Sequence, residues 1–410
     1  MRVGKFVMRL TYPPRPDALL LEIDARKSQH MWRVCGGEKV EGYNLRKRVI
    51  YLRPRFLYYL VRFSLRGSRM SAMLCARLMS QSIGVIIASE NHDVPVRTLK
   101  RFWNFRSASD RHERLFAEVS ALIPGLKFLS VQHGQELRRF PLGQPIINVT
   151  LLCWGDWAVR NFPKFGRPEK KFVAVGSLID GLYRSIRPVE IRKDSTICLV
   201  STVKGKQWWG TEMGERRKGY EILVEQLSQF ARETNSGIQV ALTIDRDQFG
   251  PDDADLERKW FIERLGSNII FTEPSVMSGI PGVALQGRTA PNYVRERYAT
   301  YFLCDRSILT IGMASSVLWE SFGRGNKLLA INHTENPIYD FPIGGIWSMR
   351  KPNYDQFSDR LHALLEMTES EWLSVSQRDR LDLISTNTQA LPQEEINRIL
   401  REAIRERSAI

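Results

Sequence analysis

No run within the 410 residues reaches the roughly 18 uninterrupted apolar residues that a bilayer span requires, so no transmembrane helix is expected. The N-terminus, MRVGKFVMRLTYPP, has basic residues but no sustained apolar core ahead of Pro13 and Pro14. It therefore lacks the form of a secretory signal peptide, and a cytoplasmic location is expected. Cysteine is scarce: Cys35, Cys75, Cys153, Cys198 and Cys304 are an odd number, widely spaced, with no CxxC pair. That excludes a disulfide framework and a zinc site of the usual spacing, and leaves Cys153, Cys198 and Cys304, in apolar strand-like runs, as buried thiols. A Walker loop, GxGxxG, HExxH and GxSxG are all missing, as are internal repeats and low-complexity tracts. Asp245 and Asp247 form a lone D-R-D after an expected strand, but no compact DxD metal signature exists, and neither metal nor cofactor is expected.

Acid is also missing where base is densest. Between Asn44 and Arg69 lie eight cations (Arg46, Lys47, Arg48, Arg53, Arg55, Arg62, Arg66 and Arg69) and no Asp or Glu. Tyr51, Phe56, Tyr58, Tyr59 and Phe63 are interleaved with them, and Pro54 suits the first turn of a helix running on towards Met79. Such a helix fits an anionic membrane surface, or equally a core helix with a solvated basic face. The formal net charge of +15 calls for an acidic partner: nucleic acid, anionic lipid or phosphorylated substrate. No nucleic-acid module accompanies the basic stretch, so no specific nucleic acid is expected.

Composition is that of a globular protein, 43% hydrophobic and 26% charged, and the length suits two domains. Short apolar runs alternate with amphipathic ones. Val3–Leu10, LLLEID and Ile83–Ser89 read as strands, residues 109–122 as a helix, and Lys127–Val131, Asn148–Trp154 and Lys171–Val175 as further strands, with a helix from Asp156 to Phe162. A polar, Pro-containing join, YRSIRPVEIRKDS, follows. The pattern then restarts: strands at 196–201, 238–244 and 268–271, and helices at 216–234, 252–265 and 289–299. Residues 332–347 are Gly- and Pro-rich, and three charged helices close the chain. Two alternating series with a polar join predict an α/β protein of two doubly wound domains.

The richest stretch is Asp305–Asn332, DRSILTIGMASSVLWESFGRGNKLLAIN, which predicts a strand, a small-residue turn, a helix and a second strand. Gly312, Ser315 and Ser316 then stand at a helix start on the carboxyl edge of a parallel sheet, where N–H groups, hydroxyls and the helix dipole favour a phosphate. The same serines suit simple helix capping. Lys204 and Lys206, in TVKGKQWWG after the strand at 196–201, are cations able to neutralise a diphosphate, or solvated loop lysines. In the first half, the strand at 127–131 runs straight into Gln132, His133 and Gly134, with Arg138 and Arg139 close behind. A His at such a strand end, beside a Gly that lets a ligand approach the backbone, is a candidate for acid–base work.

Asp305, Ser315, Ser316, Glu320, Gly325 and Lys327 stand where the donor-binding half of GT-B glycosyltransferases would place them, and the chain resembles that group over about residues 83–370. The paired Ser and the QHG turn are especially similar to CDP-glycerol glycerophosphotransferase-like and bacterial surface-polysaccharide transferases. The chain departs from them with Met313 and Ala314 in place of Asp and Tyr, and with Gln132 in place of Trp. The resemblance implies two Rossmann-like domains facing a central cleft, over residues 1–188 (acceptor) and 189–385 (nucleotide donor), with a helix over 386–410 packing back on the first. It implies His133 as the base on an acceptor hydroxyl, with Gln132, Gly134, Arg138 and Arg139 around the acceptor. Thr272, Glu273 and Glu320 would meet the donor nucleoside, and Gly312, Ser315, Ser316, Lys204 and Lys206 its phosphates.

The activity so implied is transfer of a glycosyl group from a nucleotide-activated donor to a lipid-linked or oligosaccharide acceptor in surface polysaccharide assembly, at the inner membrane face and without a metal. Transfer of a glycerol- or ribitol-phosphate group is the alternative. A nucleotide-sugar epimerase would share the fold and phosphate turn, and a basic nucleic-acid-binding protein would explain the charge alone.

Overall fold

The computed structural model describes residues 6–9, 16–21, 31, 40–43, 48–51, 53–65, 69–89, 118–119, 121–123, 125–134, 147–167, 169–187, 190–203, 208, 214–243, 251–266, 269–272, 298–385 and 390–408. The chain divides into two compact units: Met1–His133 with Arg139–Ile179 and Asn387–Ile410, and Gly134–Arg138 with Asp180–Thr386.

The strands of the first unit are β1 (Phe6–Arg9), β2 (Ala18–Leu21), β3 (Val40–Tyr43), β4 (Arg48–Tyr51), β5 (Val85–Ser89), β6 (Lys127–Val131), β7 (Ile147–Cys153) and β8 (Glu169–Ala174). Six of them form a parallel sheet in the order β3-β2-β5-β6-β7-β8, while β1 and β4 make a separate parallel pair. Ala18–Leu21 and 85–88 are wholly buried, as strands covered on both faces must be. The basic segment yields two helices rather than one continuing towards Met79: α1 (Pro54–Ser64) and α2 (Arg69–Ser80). The first ends with Leu65 at its C-cap, and the sequence beyond carries Gly67, a residue type that costs about 1 kcal/mol inside a helix. From Ser71 on, α2 is almost entirely buried, and its Arg77 guanidinium pairs with Glu41 on β3. Short helices α3 (Asp156–Asn161) and α4 (Leu178–Arg184) follow β7 and β8.

The second unit holds β9 (Ile197–Val200), α5 (Gly214–Thr234), β10 (Ile238–Ala241), α6 (Pro251–Leu265), β11 (Ile270–Thr272), α7 (Ala299–Arg306), β12 (Leu309–Gly312), α8 (Ser316–Gly323), β13 (Leu328–Asn332), β14 (Ser348–Arg350), α9 (Tyr354–Glu366) and α10 (Glu369–Leu383). Its sheet is again six-stranded and wholly parallel, in the order β11-β10-β9-β12-β13-β14. Numbered within the unit that is 3-2-1-4-5-6, the order of a dinucleotide-binding Rossmann domain. The central strands read ICLV, LTIG and LLAIN and are buried throughout. Asn353 with Gln356, and Thr368 with Glu371, form capping boxes that start α9 and α10. The last helix, α11 (Pro392–Ser408), belongs to the first unit, where it packs on β5 and Glu406 pairs with Lys127 at 3.0 Å.

The turn between α8 and β13 brings Arg324 into the core of the second unit between two carboxylates, Asp180 at 2.7 Å and Asp305 at 2.7 Å. The Tyr183 and Tyr301 rings flank the guanidinium at 5.2 and 5.0 Å. Burial pushes the Asp305 carboxyl up, but Arg324, Asn326 and Arg187 outweigh it and hold the group below its ordinary range. Among the described residues no helix is long and apolar enough to cross a membrane.

Candidate functional site

In the second unit the chain leaves β9 towards β10 and β11, but leaves β12 the other way, towards β13 and β14. Between the carboxyl ends of β9 and β12 the connections diverge, and such a switch point is where open α/β sheets bind ligands. Two segments border it: 201–203 after β9, and 313–316 after β12. Gly312 closes β12 at a tight point, where a side chain would press on its neighbours. A Cβ there would stand 3.3 Å from Leu318 Cδ2 and 3.3 Å from Val200 Cβ.

Ala314 takes a left-handed conformation, φ 51°, which costs a non-glycine residue on the order of 1 kcal/mol. It reverses the chain so that Ser315 occupies the N-cap of α8 in extended geometry. The Ser315 hydroxyl makes no capping hydrogen bond. Ser315 and Ser316 are half-buried at a helix start whose first turn carries no acid. Unsatisfied N–H groups and the positive end of the dipole gather at such a position.

A cation is present there too. Arg216, in the first turn of α5, donates from Nη2 to the Ala314 carbonyl at 3.1 Å, and its guanidinium lies 5.7 Å from the Tyr339 ring centroid. The adjacent Glu215 accepts from the backbone N–H of Glu335 and Asn336 at 2.7 and 3.1 Å, tying α5 to the loop beyond β13. Under the 201–203 segment lies the buried Glu257, which accepts from the Ser201 hydroxyl and, at 2.9 Å, from the Thr243 N–H. Thr202 Oγ1 is buried at the same strand end with no hydrogen-bond partner among the described residues. At the end of β13, burial pushes the His333 imidazole down to about 4, and Nε2 meets Gln226 Oε1 at 3.0 Å.

Other residues named from the sequence are placed differently. Glu320 is buried in α8 and accepts from the Tyr301 hydroxyl at 2.5 Å. Thr272 ends β11, and its carbonyl accepts from Leu242 N–H at 3.0 Å. Asp305 is committed to Arg324, and the Lys327 ammonium donates to the Met367 carbonyl at the end of α9. Lys204, Lys206, Glu273, Arg138, Arg139, Asp245 and Asp247 lie outside the described residues.

In the first unit, Gln132 and the half-buried His133 follow β6 directly. Gln132 is buried; its Oε1 accepts from Trp154 N–H at 2.9 Å and its carbonyl from Trp154 Nε1 at 3.1 Å. It thereby joins the carboxyl ends of β6 and β7 and fixes where the turn begins. Gly134 falls in the second unit, where a Cβ would come 3.2 Å from Ser316 Oγ. A side chain at that position would press on the Ser316 hydroxyl, which would have to shift by a few tenths of an ångström.

No family model and no curated protein matches the chain. Among solved structures it is similar to a glycosyltransferase from Rickettsia africae, with 10% identity, TM-score 0.49, and 94% of this chain and 98% of that one covered. It is also similar to UDP-GlcNAc 2-epimerase from Methanocaldococcus jannaschii, at 12% identity and TM-score 0.46, covering 94% and 99%. The wall teichoic acid polymerase TagF is a third, at 10% identity and TM-score 0.43, covering 95% and 89%.

Arg216, Thr202 and Glu257 escaped the sequence reading. Arg216 is 98 residues from Ala314 and sits in a helix with several other cations. Only the strand order, which lays α5 beside the turn after β12, singles it out. Glu257 looks like any charge on an amphipathic helix until its burial is seen.

Proposed function

We propose that the chain is a glycosyltransferase of GT-B type, moving a sugar from a nucleotide-activated donor to an acceptor hydroxyl in surface polysaccharide assembly of capsule, O-antigen or teichoic acid-like kind. The observation that carries this is the Ser315 hydroxyl, which stands at the N-cap of α8 without serving as the cap, at the switch point of a 3-2-1-4-5-6 sheet and next to Arg216. A hydroxyl, a helix start and a guanidinium together suit a diphosphate.

In this reading Gly312, Ser315, Ser316 and Arg216, with Lys204 and Lys206, hold the donor phosphates. Thr272, Glu273 and Glu320 serve the nucleoside side, Glu320 from beneath through its bond to Tyr301. His133 takes the proton of the acceptor hydroxyl as its oxygen bonds to the sugar anomeric carbon. The bond from that carbon to the diphosphate breaks, and the diphosphate leaves with the electron pair. Fixed cations stabilise the departing charge in place of a metal. Gln132, Gly134, Arg138 and Arg139 shape the acceptor side, and the lipid-linked or oligosaccharide acceptor places the enzyme on the inner membrane face.

The paired serines and the QHG turn suit equally the transfer of a glycerol- or ribitol-phosphate group, in which the acceptor oxygen attacks phosphorus and a nucleoside monophosphate leaves. A thermal-shift screen across UDP, CDP, CMP and dTDP compounds tests the shared core of both readings. Stabilisation by one nucleotide class, lost in Ser315→Ala/Ser316→Ala, supports it; no stabilisation by any of them defeats it. The leaving nucleotide then separates the two transfers, and epimer formed from a UDP-sugar without acceptor assigns the site to the epimerase instead.

A further inference from the structure

α1 presents two apolar faces. Phe56 and Phe63, with the half-buried Tyr59 and Leu60, face inward and pack with α2. Directly opposite on the helix, Leu57, Val61 and Leu65 recur every four residues beside Tyr58. These four are exposed at 39%, 65%, 84% and 60%, whereas a helix lying on a core in water turns polar residues outward. They are four of eleven exposed large apolar side chains among the described residues, the others being spread over α5, α6, β11 and α10. Arg55 and Arg62 lie along one margin of the outer face, Arg53 stands at the N-cap, all three are exposed, and residues 53–65 contain no acid.

An apolar arc with a tyrosine, bordered by arginines whose long stems can reach outward to headgroups, has the chemistry of a helix lying in the interface of an anionic bilayer. At about 16 Å for eleven residues it is too short to span and long enough to lie flat. We propose that the outer face of α1 docks the protein on an anionic membrane, with Leu57, Tyr58, Val61 and Leu65 entering the acyl boundary and Arg53, Arg55 and Arg62 meeting lipid phosphates. This deepens the reading above by naming the surface that holds a transferase beside a lipid-linked acceptor. The docking rests on α1 alone and requires no donor.

The test is co-sedimentation of the full chain with vesicles of phosphatidylcholine alone or mixed with phosphatidylglycerol, without nucleotide. Binding to the mixed vesicles and not the neutral ones is expected. Arg53→Gln/Arg55→Gln/Arg62→Gln lowers partition roughly a hundredfold, the loss of three headgroup-facing cations. Val61→Glu/Leu65→Glu abolishes it even at low salt, which charge alone does not explain. Both variants keep the wild-type melting temperature and nucleotide-induced shift, since every substituted side chain is exposed. Equal binding of wild type and Val61→Glu/Leu65→Glu overturns the proposal. So does a wild-type dimer that this variant turns into a monomer while neither protein binds vesicles, because the face is then a protein interface.

Discussion

Arg216 Nη2 donates to the Ala314 carbonyl across 3.1 Å, which sets a guanidinium beside a turn whose next two residues are serines. The bond does two things: it supports the left-handed Ala314 and presents a positive charge at the switch point. Arg216→Ala is expected to weaken nucleotide diphosphate binding by roughly 1.5–3 kcal/mol, the range for hydrogen bonds to charged groups. Arg216→Lys should restore part of it. Calorimetric titration of each variant decides. Unchanged affinity with a lowered melting temperature would show Arg216 to be an anchor for the turn and nothing more.

Ser315→Ala separates capping from ligand binding. A capping serine is worth about 1 kcal/mol of folding stability, but Ser315 makes no capping bond. Denaturant unfolding should therefore shift by less than about 0.5 kcal/mol. Affinity for the nucleotide should fall by roughly 1–3 kcal/mol in the double variant with Ser316→Ala.

His133→Ala should reduce turnover by about a hundredfold or more, the scale of general-base catalysis, while nucleotide affinity holds. Measuring kcat beside the dissociation constant tests both halves. A variant with full turnover removes His133 from the mechanism.

Much of the second unit was legible from sequence because its central strands, β9, β12 and β13, are short, continuous apolar runs buried on both faces. Asp305–Asn332 gave strand, turn, helix and strand at nearly their observed positions. β14 was missed: SMR is three residues long, lies at the sheet edge and has no apolar pattern to detect. β3 and β4 hid likewise, VEGY by its composition and RVIY inside a cationic stretch. Cys304 was expected in a strand-like run and lies in α7, since YFLCDR is apolar enough for either period. Glu320, named for a nucleoside, turns into the core towards Tyr301, a partner 19 residues away that no local pattern reveals.

His333 makes stability depend on pH in a defined window. Its imidazole is held at about 4 in the fold, against an ordinary value of 6.5, so the unfolded chain binds more protons between those values. Stability contributed by the neutral ring is full above about pH 6.5 and declines as pH falls towards 4. Melting temperatures of wild type and His333→Gln, compared at pH 7 and pH 4.5, should converge at the lower pH. Parallel curves would mean that another group titrates in that range.

Asp305 acts at lower pH. Its carboxyl is held below 3.8, so its contribution is full above that value and is lost as pH falls through the lower folded one. Asp305→Asn leaves the buried Arg324 with one carboxylate in place of two, and a loss on the order of 3–5 kcal/mol is expected by chemical denaturation. A loss under about 1 kcal/mol would show that Asp180 and the flanking tyrosines suffice to hold the guanidinium.

The return of α11 to the first unit bears on how the chain is made. Domains ordinarily fold in the order they are synthesised, at about 5–20 residues per second. Here the first unit includes Asn387–Ile410, so its sheet emerges early and waits for the last helix to cover β5, while Asp180–Thr386 is complete beforehand. On the ribosome the later-encoded unit can finish first. The interval in which β5 lacks its cover is then set by the rate of translation, and rare codons in the stretch that encodes α11 would lengthen it.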